Sequence, residues 1–312
     1  MILILADSGD AWSTLIHLEL SRRGKEVSWV QPSQLLDRIL LNWSVRCDGA
    51  VPEGTLIVEE RPVALADLTG VLVRLPIPPP LSIDDLSPED RSYVTRETTA
   101  AWLALLDTLP CAVINRPVPG GRATLMSGSA EYSRLARVHG FLMPPSYYAA
   151  SWADAVAKFA SWHNRVYVKM LGSSEPGRFL NEPGDANSEP FPQHRSVFLQ
   201  PVPDGQRITV YVVAGEAVAT LVHPVGSSNE PQIVPAVPAD ACLRLTQDLG
   251  LAFAECEVIL AADGIYCLDV SASPRYWRCP QEVQQRIVAS LSDCLSQQRS
   301  HSLHDSLIGA NG

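Results

Sequence analysis

Apolar and polar positions alternate along this chain in segments that switch between a strand period and a helix period. Ile2 to Ala6 is a short apolar run, which predicts a buried strand. Ser8 or Asp10 can cap the helix that follows, AWSTLIHLELSRRG, which stops at Gly24. KEVSWV then reads as a second strand, and strand–helix–strand at this spacing predicts a parallel βαβ start. The intervening loop, ADSGDAWS, is not GxGxxG and carries no dinucleotide fingerprint. LTGVLVRLP predicts a strand ending near Arg74, and PIPPPLSIDDLSP a surface connection. A long helix over EDRSYVTRETTAAWLALLDTL and a strand in CAVINRP complete a small α/β unit of residues 1–117.

Beyond it, GSAEYSRLARVHGF predicts a helix ending at Gly140, and SWADAVAKFASWH another. RVYVKML is a strand followed by a glycine-containing turn, GSSEPG. The polar segment 181–194 has no periodicity and reads as a mobile loop. SVFLQPV is a strand, and RITVYVVAGEAVATLV folds back on itself at Ala214 and Gly215. A helix in ADACLRLTQDLG precedes the last hairpin, AFAECEVILAADGIYCLDV, and the last helix lies in PQEVQQRIVASLSDCLSQQ. The tail after Arg299 is expected to be disordered.

Composition narrows the classes. The chain has 312 residues, 46% of them hydrophobic and 19% charged, enough for real cores in one or two domains. A net charge of −10 argues against general binding to nucleic acid or an anionic membrane. Seven scattered cysteines with no CxxC pair read as reduced, mostly buried thiols of a cytoplasmic protein, and argue against a disulfide framework or a structural zinc. MILILADSGDAW turns polar too soon for a signal peptide, and no run of 18 apolar residues predicts a membrane span.

The chemistry concentrates in the last hairpin. Its loop reads as three residues, Ala262-Asp263-Gly264, which sets Ala261 opposite Ile265 and, further down the ladder, Glu257 opposite Asp269 on one face. Two carboxylates about 5 Å apart repel by roughly 3 kcal/mol at an effective dielectric near 20. A proton, an arginine or a divalent cation must offset that. Oxygen-only ligands favour magnesium or manganese, and Ser271 adds a hydroxyl on the same face. The plain alternative is a solvated sheet end bridged by Arg275 or Arg278. Lys169, inside an apolar strand, either snorkels to solvent or reaches a phosphate, with Gly172 and Gly177 allowing close backbone approach. Arg207 and Thr209 share one strand face; Arg207 either meets a triphosphate or is an ordinary exposed arginine. FLQPVPDG, with Gln200, Val202 and Asp204, can present backbone groups to an adenine ring. GxSxG is absent, the histidines lack metal-ligand spacing, and Cys256 and Cys267 look buried and inert.

Taken in order, the Lys169 strand with its glycine turn, VFLQPV, RITVYVVAGEAVA, LGLAFAECEVIL and GIYCLDVSASP resemble the ATP-grasp ligases, the superfamily of glutathione synthetases, ribosomal-protein glutamate ligases and peptide-modifying grasp enzymes. The resemblance covers nearly the whole chain. It implies an α/β (α+β grasp) fold. A pre-ATP-grasp βαβ domain (1–117) would precede two ATP-grasp subdomains with largely antiparallel sheets (118–195 and 196–299), then a tail, 300–312. It also implies a ligase that uses ATP and magnesium, or manganese, to phosphorylate a small-molecule or peptide carboxylate, which an amine then attacks. On this resemblance Lys169 and Arg207 meet phosphates; Gln200, Val202 and Asp204 line the nucleotide; and Glu257, Asp269 and Ser271 hold metal. Arg207 and Arg275 serve catalysis, and Arg74 and Arg278 orient substrate. The family's Glu-x-Asn reads Asp269-Val270-Ser271 here, and its Asp-x-Arg reads Arg207-Ile208-Thr209. These changes motivate the alternative of a non-catalytic relative that serves as a binding or scaffold subunit. A homodimer or a partner protein remains open on either reading.

Overall fold

A computed structural model describes residues 1–31, 39–45, 52–58, 60–74, 86–117, 129–162, 165–171, 176–181, 196–224, 231–234 and 239–297. The tail 300–312, Gly172 and most of the polar segment 181–194 lie outside the described residues. The chain divides into two compact units, Met1–Pro119 with Val288–Gly312, and Gly120–Ile287.

In the first unit, β1 (Ile2–Leu5) is buried at every position, as a central parallel strand must be. The helix α1 (Ala11–Arg22) starts at Asp10, whose side chain accepts from the Ser13 amide. β2 (Val27–Val30) pairs in parallel with β1, so the expected strand–helix–strand start is present. The strands β3 (Ile39–Ser44), β4 (Glu53–Val58) and β5 (Arg61–Ala64) form an antiparallel sheet that the hydrophobic pattern did not predict. β6 (Gly70–Val73), α2 (Pro88–Thr108) and β7 (Ala112–Ile114) follow, and the parallel sheet runs β2-β1-β6-β7. Leu3, Leu5, Val71, Trp102, Leu105 and Val113 share its core. Ser87 caps α2 and Pro88 opens it, an N-terminal pattern readable from sequence.

The second unit holds two antiparallel sheets. α3 (Ala130–Val138), β8 (Tyr147–Ala149), α4 (Trp152–Trp162), β9 (Val166–Met170), β10 (Arg178–Leu180) and β11 (Val197–Pro201) come first. They are followed by β12 (Gly205–Val213), β13 (Glu216–His223), β14 (Gln232–Ile233), α5 (Ala239–Asp248), β15 (Phe253–Ala261), β16 (Gly264–Ser271) and α6 (Gln281–Ser296). One sheet runs β10-β9-β11-β8 and the other β14-β13-β12-β15-β16. Alternation divides each strand between two faces. Val166, Val168, Val197 and Leu199 pack with Trp152 and Phe159 of α4. Ile208, Val210, Cys256, Val258 and Cys267 pack with Tyr132 and Leu135 of α3 and Leu245 of α5. α3 therefore shares a core with the second sheet, although in sequence it falls in the stretch 118–195. The end of α6 belongs with the first unit: a Cβ on Gly70 would lie 2.4 Å from the Leu295 carbonyl oxygen, so β6 and α6 touch through backbone.

Ala214 and Gly215 take positive φ (50° and 85°), as the expected two-residue hairpin turn requires. The last hairpin corrects the reading of its loop. Ala261 pairs with Gly264 across a two-residue turn, Ala262-Asp263, not with Ile265 across three. The register then shifts by one between Glu257 and Val258, with Leu268 as the extra residue of a bulge, and Glu257 comes to stand opposite Asp269. The six described cysteines are all buried. No helix among the described residues is long and apolar enough to cross a membrane.

Candidate active site

The faces of the two sheets turned away from the helices meet in a polar layer. Lys169, Glu255, Glu257 and Asp269 are the buried charged residues among those described, and all four lie there, with buried Gln200, Thr209 and Ser271 beside them. Charged groups are seldom buried unless paired, so this concentration marks the site.

Asp269 is reached from β9. Lys169 Nζ lies 2.8 and 3.0 Å from its two oxygens, and the Tyr167 hydroxyl donates to Oδ2 at 2.7 Å. The same hydroxyl accepts from the Gly177 amide at 2.6 Å. Burial, with the Asp269 and Glu257 charges added, pushes the Tyr167 phenol well above its ordinary pKa, so it remains a donor. Glu257 is reached from β12. Arg207 forks onto it at 3.0 and 3.1 Å, and the Thr209 hydroxyl donates to Oε1 at 2.8 Å. Arg207 also lies over the Phe179 ring, 4.0 Å from its centroid. Burial opposes the Arg207 charge, but Glu257 outweighs it and the guanidinium pKa stays raised.

Glu255 is the third carboxylate on the face. Its Oε2 accepts the Arg275 amide at 2.6 Å. Burial, followed by the charge of Glu257, raises its pKa to about 7. His223 stands beside Arg207 in register, with Nε2 2.7 Å from the Thr209 hydroxyl. Burial, followed by the charge of Arg207, lowers its pKa to about 4.

The sequence matches no protein-family model and none of the curated proteins. Solved structures match over nearly the full length. One is a Chryseobacterium gregarium RiPP-associated ATP-grasp ligase in complex with ADP and a leader and core peptide. Its TM-score is 0.65 at 14% identity, covering 96% of this chain and 97% of that one. The ATP-grasp ligase PsnB, complexed with minimal precursor, Mg and ADP, gives 0.59 at 20% identity, with 94% and 96% covered. The macrocyclase MdnC from Microcystis aeruginosa, bound with precursor peptide MdnA, gives 0.63 at 15% identity, with 92% and 98% covered. The chain has the ATP-grasp fold.

On this ATP-grasp fold the sequence-predicted residues divide. Lys169, Arg207, Glu257 and Asp269 come together as described. Ser271 is buried opposite Glu255, and its hydroxyl accepts from the Ser273 amide at 3.1 Å. The Arg275 guanidinium donates to the carbonyl of Gly177 at 2.6 Å, and the Gly177 amide lies 3.4 Å from Asp269 Oδ2. Gln200 is fully buried beside Tyr167, and its Oε1 has no hydrogen-bond partner among the described residues. The Val202 amide is occupied by the Arg165 carbonyl at 2.8 Å, and Asp204 is exposed in the β11–β12 turn. Arg278 ends a single helical turn with its side chain exposed. Arg74 belongs to the other unit, where it pairs with Asp10 at 3.2 Å and stacks over Trp12 at 3.8 Å.

Tyr167, Glu255 and His223 escaped the sequence reading. Glu255 carried a signal, since it lies two residues before Glu257 and shares its face. Tyr167 carried the same signal, two residues before Lys169 on β9, whereas His223 is set opposite Arg207 by the β12–β13 hairpin, whose register shifts by one between Tyr211 and Val212. Gly177 is required by close packing: a Cβ would lie 2.5 Å from both Tyr167 Cζ and the Val168 carbonyl oxygen. Gly177→Ala is therefore expected to cost about 1–3 kcal/mol, since the residue also carries both the Tyr167 and the Arg275 bonds. Urea unfolding checks this, and a wild-type midpoint would refute the close approach.

Proposed function

We propose that this chain is an ATP-dependent ligase that activates a peptide carboxylate as an acylphosphate and joins it to an amine. The charged face of Lys169, Asp269, Arg207 and Glu257 on an ATP-grasp fold supports this reading, and the peptide-bound neighbours support a peptide substrate. A carboxylate oxygen attacks the γ-phosphorus of ATP and ADP leaves. The amine then attacks the acyl carbon, phosphate leaves and one proton is lost. No protein nucleophile is needed; catalysis is positioning and charge neutralisation.

The residues suit ATP. Gln200 offers a buried acceptor with no partner among the described residues, suited to an amino group such as adenine's. Lys169 and Arg207 supply the positive charge for phosphates, and the Arg275 guanidinium holds the Gly177 end of the glycine turn. Magnesium also fits the donor chemistry. Among the described residues no cluster of three or more His, Cys, Asp or Glu side chains could hold a metal ion. Magnesium, however, is commonly held by one or two carboxylates together with substrate phosphates. Glu257 and Asp269 stand opposite each other, and Ser271 adds an oxygen. These three would hold it, and it would supply charge neutralisation at the phosphates.

Calorimetry with ADP and magnesium is the first test. Binding that Lys169→Ala abolishes supports the reading; no binding at millimolar nucleotide sinks it. ADP release coupled to loss of one water from a peptide completes the assignment. One observation favours a second reading, a non-catalytic relative: the Asp269 and Glu257 carboxylates each face a protein cation already. Tight nucleotide binding without turnover on any peptide would select it.

A further inference from the structure

The polar layer continues past Arg207 to a residue that the ligase reading does not use. His223 ends β13, directly across from Arg207, and its Nε2 meets the Thr209 hydroxyl, which in turn meets Glu257 Oε1. A threonine hydroxyl has one hydrogen to give. Glu257, as a carboxylate, only accepts, so that hydrogen goes to Oε1. His223 must then donate from Nε2, which fixes its tautomer. Burial beside Arg207 keeps the ring neutral near pH 7, which this chain of donors requires. Gln206 donates to the His223 carbonyl, which secures the strand end.

We propose that His223 is a positioning residue for Glu257, acting through Thr209. The inference rests on the ligase reading, in which Arg207 turns to the phosphates of the nucleotide. Arg207 contributes two of the three hydrogen bonds to Glu257 seen here. Once Arg207 faces phosphate, Thr209 is what holds Glu257 to β12, and His223 is what orients Thr209. Partners that orient a ligating carboxylate typically change cation affinity by about 10- to 100-fold when removed.

The test is manganese binding, followed by electron paramagnetic resonance, in full-length protein saturated with ADP. His223→Leu and Thr209→Val are expected to weaken manganese binding by about 10- to 100-fold. His223→Gln, whose amide can donate from the same place, and Thr209→Ser should restore it. Affinity for ADP without metal should stay near the wild-type value in all four. The histidine nitrogen spectrum should show a protonated Nε2 in wild type, and that signal should move in Thr209→Val. Unchanged manganese affinity in a folded His223→Leu overturns the proposal and leaves the ligase reading standing. Equal loss in His223→Leu and His223→Gln also overturns it, because a strand-end packing role would then suffice. If the wild type binds neither ADP nor manganese, both readings fall together.

Discussion

Lys169→Met is expected to lower folding stability by about 3–5 kcal/mol, because it strands Asp269 as a buried charge. Tyr167 still donates to Asp269, but a neutral phenol does not cancel a carboxylate. The double variant Lys169→Met/Asp269→Asn should regain most of that loss, since removing both charges of a buried pair is often close to neutral. Nucleotide affinity should not return with it, because phosphates need the positive charge and not merely a folded site. Urea midpoints and ADP titrations on the four corners of the cycle separate the two effects. A single variant that loses less than about 1 kcal/mol would mean that Asp269 finds its cation elsewhere. A double variant that recovers ADP binding would remove Lys169 from the proposed phosphate site.

The pair at the centre of that cycle was only half legible. Lys169 in an apolar strand and Asp269 at the end of another are visible as local anomalies, but nothing local says that they meet across 100 residues. Local pattern did reach the opposition of Glu257 and Asp269, by an incorrect route. The turn is one residue shorter than Gly264 suggested, and the bulge at Leu268 restores the lost step. Bulges leave no period in the sequence, because they are set by what the strand must pack against. Leu268 sits with Tyr167, Val202 and Ile259 in a small apolar cluster, so the bulge places Leu268 and Asp269 together on the working face. The sheet of β3, β4 and β5 was missed because its half-exposed strands alternate weakly. Arg207 sharing a face with Thr209 was readable from parity alone. The choice of Glu257 as the partner of both was not, since it depends on which strand lies next to β12. The two cation–carboxylate pairs, one buried and one part-buried, also show how the repulsion expected between Glu257 and Asp269 is relieved here. Each carboxylate meets a cation from a different strand, Asp269 the Lys169 ammonium and Glu257 the Arg207 guanidinium.

Glu255 makes the pH dependence of stability a sharper probe of this layer than any single activity. Its folded pKa of about 7 lies above the ordinary value of 4.5, so the folded state holds a proton that the unfolded state has lost. The stability from this group is full below pH 4.5 and is lost as pH rises through about 7. At about 1.4 kcal/mol per pH step, the loss is roughly 3 kcal/mol. His223 works in the opposite sense. Its folded pKa of about 4 lies below the ordinary 6.5, so the unfolded state binds the extra proton and stability rises with pH across that interval. The two slopes overlap and largely cancel between pH 4.5 and 6.5, leaving a wild-type profile that is flat there and falls above it. Glu255→Gln keeps the shape and removes the titration. Its stability relative to wild type should therefore climb by roughly 3 kcal/mol from pH 4.5 to 7.5, and its own profile should show the rising limb that belongs to His223. Urea midpoints at half-unit pH intervals measure both. Parallel profiles for Glu255→Gln and wild type would show that Glu255 titrates alike in the folded and unfolded chains. The crowding of three carboxylates on one face would then be neutralised entirely by Lys169, Arg207 and the Arg275 amide.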